Sequence, residues 1–233
     1  MERLRTNLQR SPDKPGSHMS VTVRVDIFSD MICPWCLIGY RRLREAADRL
    51  AGEIEVELHW LPFELNPRMP EGGMDRREYL EAKFGVEGAQ SAYGRIARVL
   101  EEDGIDADVE AIRRTPSTLL AHRLCALAEA QDRGSAFVEE LFRDFFRDGR
   151  DVGERSVLLD AAERCGMDRE GATTWLDNGD GLDHVRRMQA EARRLGIEGV
   201  PFFIFDRRLA LSGAQPVEVM CEVLNQAANE GDT

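Results

Sequence analysis

The feature that most constrains this chain is Cys33-Pro34-Trp35-Cys36. It follows an alternating run, residues 21–28, in which Val21, Val23, Val25 and Ile27 share one face and Thr22, Arg24 and Asp26 the other, the pattern of a strand. It opens a helical pattern that begins near Leu37, with Pro34 where a helix tolerates proline best. CxxC spacing alone is a moderate signal. Placed between a strand and a helix, it is the arrangement that a thiol–disulfide redox centre requires.

Bulk properties narrow the class. The 233 residues are 42% hydrophobic, enough for a core, and carry a net charge of −12, which disfavours phosphate backbones; nucleic acid is not an expected partner. Lys14 and Lys83 are the only lysines. There is no 18-residue apolar run and hence no expected membrane span. Residues 1–20 carry charges and prolines without the apolar stretch of a secretory signal. They read as a disordered extension, in which Gly16-Ser17-His18-Met19 looks like an expression-tag remnant or Met19 an alternative start. Five cysteines are too few and too dispersed for a secreted disulfide scaffold, so a cytoplasmic protein is expected, and a CxxC there is catalytic or metal-binding rather than a permanent bridge. No second CxxC or histidine pair completes a four-ligand zinc site, so no metal is expected.

Along the chain, residues 37–50 continue the first helix and Ile54, Val56, Leu58 and Trp60 alternate as a second strand. Residues 75–178 read as wholly helical: 76–84 and 88–102 separated by Gly85, a helix opened by Thr115-Pro116, one from Ser135 with Val138, Leu141, Phe142 and Phe145 inward, then 156–165 and a short 173–176. The stripe Phe142, Phe145, Phe146 reads as core with a share in a substrate groove. Residues 183–195 form a further helix, 201–205 and 209–211 a strand pair, and 215–228 the last helix. The order is an α/β arrangement: a βαβ unit, a large all-helical insertion after its second strand, and a C-terminal ββα unit. The insertion is expected inside the crossover of the parallel strand pair. The expected division is 21–67 with 181–229 as one domain and 68–180 as the inserted helical domain.

The chemistry follows from position. A thiolate is the attacking species in disulfide exchange, and Cys33 at a helix start would meet free N–H groups and the positive end of the macrodipole, expected to lower its pKa below about 8.5. Cys36, within one turn and expected to be more buried, can attack the mixed disulfide and release product. Asp30 and Glu64 are candidates for a carboxylate that takes the Cys36 proton, against the plainer readings of a strand end and an exposed acid. His122 is a site-lining or merely packed histidine, and Cys125, Cys165 and Cys221 read as inert helix-face thiols.

Several further motifs accompany the CxxC: Asp30-Met31-Ile32 before it and Leu37-Ile38-Gly39 after it, Pro62-Phe63-Glu64-Leu65-Asn66-Pro67, Ala121-His122-Arg123-Leu124, Gly196-Ile197-Glu198-Gly199-Val200-Pro201 and Ser212-Gly213-Ala214-Gln215-Pro216. Together they resemble the DsbA-like thiol oxidoreductases of the thioredoxin superfamily, in the FrnE-like branch, across most of residues 21–228. The resemblance implies a thioredoxin fold with a helical insertion, a cis peptide at Val200-Pro201 that sets a substrate-binding loop beside the CxxC, and a redox poise set by Pro34 and Trp35. With no histidine in that dipeptide, a weaker oxidant than the periplasmic DsbA type is expected. The implied activity is exchange of a Cys33–Cys36 disulfide or dithiol with a protein thiol or disulfide or with a small molecule, FrnE-like proteins being associated with polyketide pathways. No organic cofactor is expected, and glutathione stays open as reductant. Two rivals remain. Kappa-class glutathione transferases and 2-hydroxychromene-2-carboxylate isomerases are similar in architecture but generally carry one serine at the nucleophile position. A redox-switched binding or chaperone-like module is the non-enzymatic alternative.

Overall fold

The computed structural model describes residues 20–230. The expected N-terminal extension therefore lies, Ser20 apart, outside the described residues. Strand β1 (Val21–Ser29) runs down the middle of a four-stranded sheet of order β2-β1-β5-β6. Helix α1 (Pro34–Arg49) carries the chain across to β2 (Ile54–Pro62), which pairs parallel to β1 from Val21↔Ile54 to Ser29↔Pro62. On its other side β1 pairs antiparallel with β5 (Phe202–Phe205), and β5 with β6 (Leu209–Ser212). The final helix, α8 (Val217–Glu230), packs on α1. This is the thioredoxin arrangement with a helical insertion between β2 and β5.

The insertion does not sit inside the parallel crossover, where the sequence pattern alone places it. The sixteen residues of α1 already supply that crossover, and a parallel pair needs only about a dozen. The strand that follows the insertion, β5, runs antiparallel to β1.

Strict alternation also fails along β1. Thr22 is exposed, but Asp26 and Phe28 are buried like Val23, Val25 and Ile27. A central strand covered on both faces loses its polar side. Phe28 packs with Ala192 and Ile197 in a small second cluster under helix α7 (Leu182–Arg194), and Asp26 is ion-paired to Arg24 at 2.7 Å.

Within the insertion, α2 (Arg76–Glu102) is capped by Asp75, whose carboxylate accepts from the N–H groups of Arg77 and Glu78. It is two helical pieces meeting at Gly85, whose φ of 72° and ψ of 168° only glycine adopts readily. The region is not wholly helical. The short strands β3 (Met74–Asp75) and β4 (Arg114–Thr115) pair antiparallel, and helix α3 (Leu119–Glu129) starts at Leu119 rather than at Thr115-Pro116. Proline pushes the residue before it into extended backbone, which suits Thr115 to the pairing and not to a helix.

Helix α4 (Gly134–Phe142) runs on through one wider π turn, residues 143–147. After α5 (Arg155–Arg164) comes α6 (Arg169–Asp177), which begins four residues before the short 173–176 segment expected, because Asp168 caps it through the Gly171 N–H. The sheet and the insertion share one core. Tyr40 of α1, Trp60 of β2 and Phe142 of α4 stack edge-on or tilted, with ring centroids 5.0 to 6.4 Å apart, and Phe142 continues to Phe146.

Candidate active site

Strand β1 ends at Ser29, and the next residues turn so that Cys33 becomes the N-cap of α1. Its carbonyl already accepts from the N–H groups of Cys36 and Leu37, at 3.0 and 3.3 Å. Pro34 at the first helical position costs no hydrogen bond there, since that N–H has no intrahelical acceptor. All five cysteines are free thiols. Cys33 Sγ points at the loop before β5 and donates to the Val200 carbonyl at 3.6 Å.

The Val200–Pro201 bond is cis, as the resemblance implies. That loop can come so close because residue 39 of α1 is glycine: a Cβ there would lie 2.9 Å from Pro201 Cγ and 3.1 Å from Phe203 Cζ. The loop is closed behind by the Gly213 N–H, which donates to the Pro201 carbonyl at 2.9 Å.

Cys36 is buried one turn further in. Loss of water, and after it the neighbouring Cys33 sulfur, push its thiol well above the usual range. The Asp30 main chain lies at the Cys36 sulfur and works against that shift. So does the Ser29 hydroxyl, which otherwise has no hydrogen-bond partner among the described residues.

The Asp30 carboxyl is fully buried. It accepts from the Leu65 N–H at 2.7 Å, the Thr118 hydroxyl at 3.3 Å and, weakly, the Ile32 N–H at 3.4 Å. Burial outweighs these donors and raises its pKa from 3.8 to about 7. His122 is buried beside it, with Nε2 3.8 Å from Asp30 Oδ1 and that nitrogen without a hydrogen-bond partner among the described residues. Burial lowers the His122 pKa to about 3, although the Phe63 main chain accepts from the ring.

Glu64 is half-buried, accepts from the Gln189 side chain, and has its own pKa raised by burial; its charge adds to the upward push on Asp30. Sequence candidates thus gather in two groups. Cys33, Cys36, Pro34, Trp35, Val200 and Pro201 meet at the end of the sheet, and Asp30 and His122 lie buried behind Cys36, with Glu64 at their edge. Burial raises the pKa of the Cys125 and Cys165 thiols, outside both groups.

Other residues belong to the site without having been read from the sequence. Ser29 stands at Cys36, and Thr118 and the Leu65 N–H hold Asp30. A cavity of about 220 Å³ opens beside Cys33, with Ile32, Trp35, Leu65 and Gly199 on one side and Arg76, Tyr79, Lys83 and Phe84 of α2 on the other. Phe146, from the stripe assigned first to the core, reaches this cavity. Ser29 was signalled by its place next to Asp30 at the strand end. The α2 residues had only a helical pattern remote in sequence from the CxxC.

Known proteins resemble this chain in sequence and fold. A family model described as a DSBA-like thioredoxin domain matches residues 24–225. The solved structure of the Streptomyces coelicolor protein SCO1869, described as a probable DsbA oxidoreductase, is 34% identical, covers 89% of this chain and 91% of its own, and superposes with a TM-score of 0.79. The cytosolic disulfide reductase DsbM from Pseudomonas aeruginosa, solved with GSH, shares the fold at 20% identity and a TM-score of 0.61, covering 87% of this chain and 98% of its own. The uncharacterized protein YwbO of Bacillus subtilis is 26% identical over 185 residues, 79% of this chain and 87% of its own. With the cis-proline loop seated against a helix-capping cysteine and the family match running from β1 into α8, the chain belongs to the DsbA-like thioredoxin domain family.

Proposed function

We propose that the chain exchanges disulfides through Cys33 and Cys36. The observation that carries this reading is the Cys33 sulfur at the mouth of α1, 3.6 Å from the main chain of the cis-proline loop, with Cys36 one turn deeper. As a thiolate, Cys33 attacks one sulfur of a substrate disulfide. The substrate S–S bond breaks, the first thiolate leaves with the bonding pair, and a mixed disulfide forms. Cys36 then gives up its proton and attacks the Cys33 sulfur. The second substrate thiolate leaves, and the cysteine pair is oxidised by the two electrons the substrate gains.

Asp30, with a pKa of about 7 and its main chain at the Cys36 sulfur, is suited to accept that proton directly or through water. The Leu65 N–H and the Thr118 hydroxyl hold it in place, with the neutral His122 buried beside it. The Val200–Pro201 loop lies where an extended substrate can pair beside Cys33, and Pro34 and Trp35 set the poise of the pair.

The chemistry needs no organic cofactor. Substrates are protein disulfides or small molecules, the compartment is the cytoplasm, and glutathione is a suitable reductant, in keeping with the related DsbM having been solved with it. At a cytosolic thiol poise the pair would rest reduced, which favours reduction or isomerisation over net oxidation. Replacing Cys33 with serine should abolish disulfide reduction in an insulin or glutathione-coupled assay. Turnover that survives Cys33→Ser would end this reading.

A further inference from the structure

The cavity beside Cys33 has an uneven charge. Its floor is apolar, with Leu80, Ile96, Val109 and Phe146 among its lining. Its outer wall carries two cations, Arg76 and Lys83. Neither forms an ion pair with a carboxylate among the described residues, although the chain as a whole carries −12.

Arg76 is instead held between rings. Its guanidinium lies 5.8 Å from the centroids of both Tyr79 and Tyr93, donates to the Tyr93 hydroxyl at 3.1 Å and to the Thr115 hydroxyl at 3.2 Å. Lys83 Nζ donates to the Tyr79 hydroxyl at 2.8 Å, and that hydroxyl donates to the Asn66 side chain at 3.0 Å. Both cations are thus fixed by neutral partners, which orient them without neutralising them. An acidic surface repels anions in general, so two uncompensated charges at the mouth of an apolar cavity make a local exception. The volume, about 220 Å³, suits one ring-sized arm rather than a whole drug-sized ligand.

We infer that this cavity is a subsite for a small-molecule disulfide whose apolar, ring-sized arm carries a carboxylate, the arm lying on the cavity floor and the carboxylate at Arg76 and Lys83. The inference rests on the exchange reading above and names its substrate class. Cys33 attacks the arm's sulfur, the S–S bond breaks, and the other half leaves as a thiolate. Cys36 then releases the bound half as a second thiolate, so that one substrate disulfide is reduced as one Cys33–Cys36 disulfide forms.

Two aromatic disulfides separate charge from shape: dithiobis-nitrobenzoate, with a carboxylate on each ring, and dithiodipyridine, with none. Stopped-flow rates of the reduced protein with both reagents give a ratio, anionic over neutral. In the Arg76→Gln, Lys83→Gln double variant this ratio should fall about tenfold, each partly solvated pair contributing a few-fold. Lys83→Gln alone, at an exposed position, should lower it by about threefold and guards against misfolding of the double variant. A ratio that stays the same in both variants overturns the inference, as does an equal loss of rate with the two reagents. A wild-type protein whose Cys33 reacts with neither reagent sinks the exchange reading and the subsite with it. Lost selectivity by the wild type with reactivity retained sinks the subsite alone.

Discussion

The two walls of the Cys33 cavity are held in different ways. One is the start of α1 with the Val200–Pro201 loop, where buried groups touch at contact distance and Gly39 leaves no spare space. The other is the first half of α2, which ends at the break at Gly85 and is flanked by two of the exposed large hydrophobic residues, Phe84 at 47% and Val86 at 63%. The wall that carries the sulfur is over-determined, and the wall that would meet a substrate is held by the side-chain hydrogen bonds of Arg76 and Tyr79 and loses its packing towards Gly85. Reaction geometry and recognition therefore come from different parts of the chain, the first from the sheet unit and the second from the insertion.

The largest expected effect lies behind the first wall, in the Asp30–His122 pair. The folded pKa of Asp30 is raised from 3.8 to about 7, so the stability it contributes is full below pH 4 and is lost as pH rises through 7. The folded pKa of His122 is lowered from 6.5 to about 3, so its contribution is present above pH 6.5 and lost as pH falls towards 3. Each slope spans as much as about 5 kcal/mol, and between about pH 4 and 6.5 they oppose each other. The wild-type protein should accordingly show a shallow stability profile there. Asp30→Asn should leave a profile that climbs with pH, and His122→Asn one that falls, both read from urea midpoints. Profiles equally shallow in both variants would remove the burial argument and, with it, the tuned acid behind Cys36.

A smaller effect tests the fit of the first wall. Gly39→Ala places a methyl 2.9 Å from Pro201 Cγ and 3.1 Å from Phe203 Cζ, so α1 and the loop must part. Overpacking of this kind costs about 1 to 3 kcal/mol. The shift falls on the Cys33–Val200 approach, so the rate of Cys33 with dithiodipyridine should drop along with the thermal midpoint. A destabilised protein with an unchanged rate would show that the loop does not set access to the sulfur.

This asymmetry also marks what the sequence discloses. The CxxC, its strand and its helix are local, and local alternation and proline placement reveal them. The cis-proline loop is not local: trans is the default even before proline, so the family resemblance alone identified Val200-Pro201. Asp30 could be suspected from its place at the strand end. Its elevated pKa arises from burial, which outweighs the opposing hydrogen bonds from Thr118 and Leu65, residues that come from the insertion and from the loop after β2.

The misread positions share a cause. Phe28 breaks the alternation because α7 covers the second face of the sheet there, and the expected place of the insertion fails because strand direction is a tertiary property. Asp168 as the α6 cap was within reach of the sequence, since an aspartate before a helical run is a start signal. Arg76 and Lys83 gave none, because only the fold brings α2 to Cys33.

The smallest expected effect tests the second wall. Among the described residues no atom lies within 4 Å of a Cβ built at Gly85, so Gly85→Ala introduces no clash; its cost is the backbone alone, at φ 72° and ψ 168°. A side chain held in that region costs about 1 to 3 kcal/mol if the break is kept. Because Phe84 and Val86 beside the break are exposed, relaxing it should cost less, near the lower end of that range or below it. The thermal midpoint should move by a few degrees at most, while the helical segment bearing Tyr79, Lys83 and Phe84 re-aims over the cavity. The anionic-to-neutral rate ratio should then change more than the neutral rate does. If instead both rates fall together, as for Gly39→Ala, the two walls are one rigid unit and the contrast between a fixed sulfur and a recognition face that can re-aim at Gly85 is wrong.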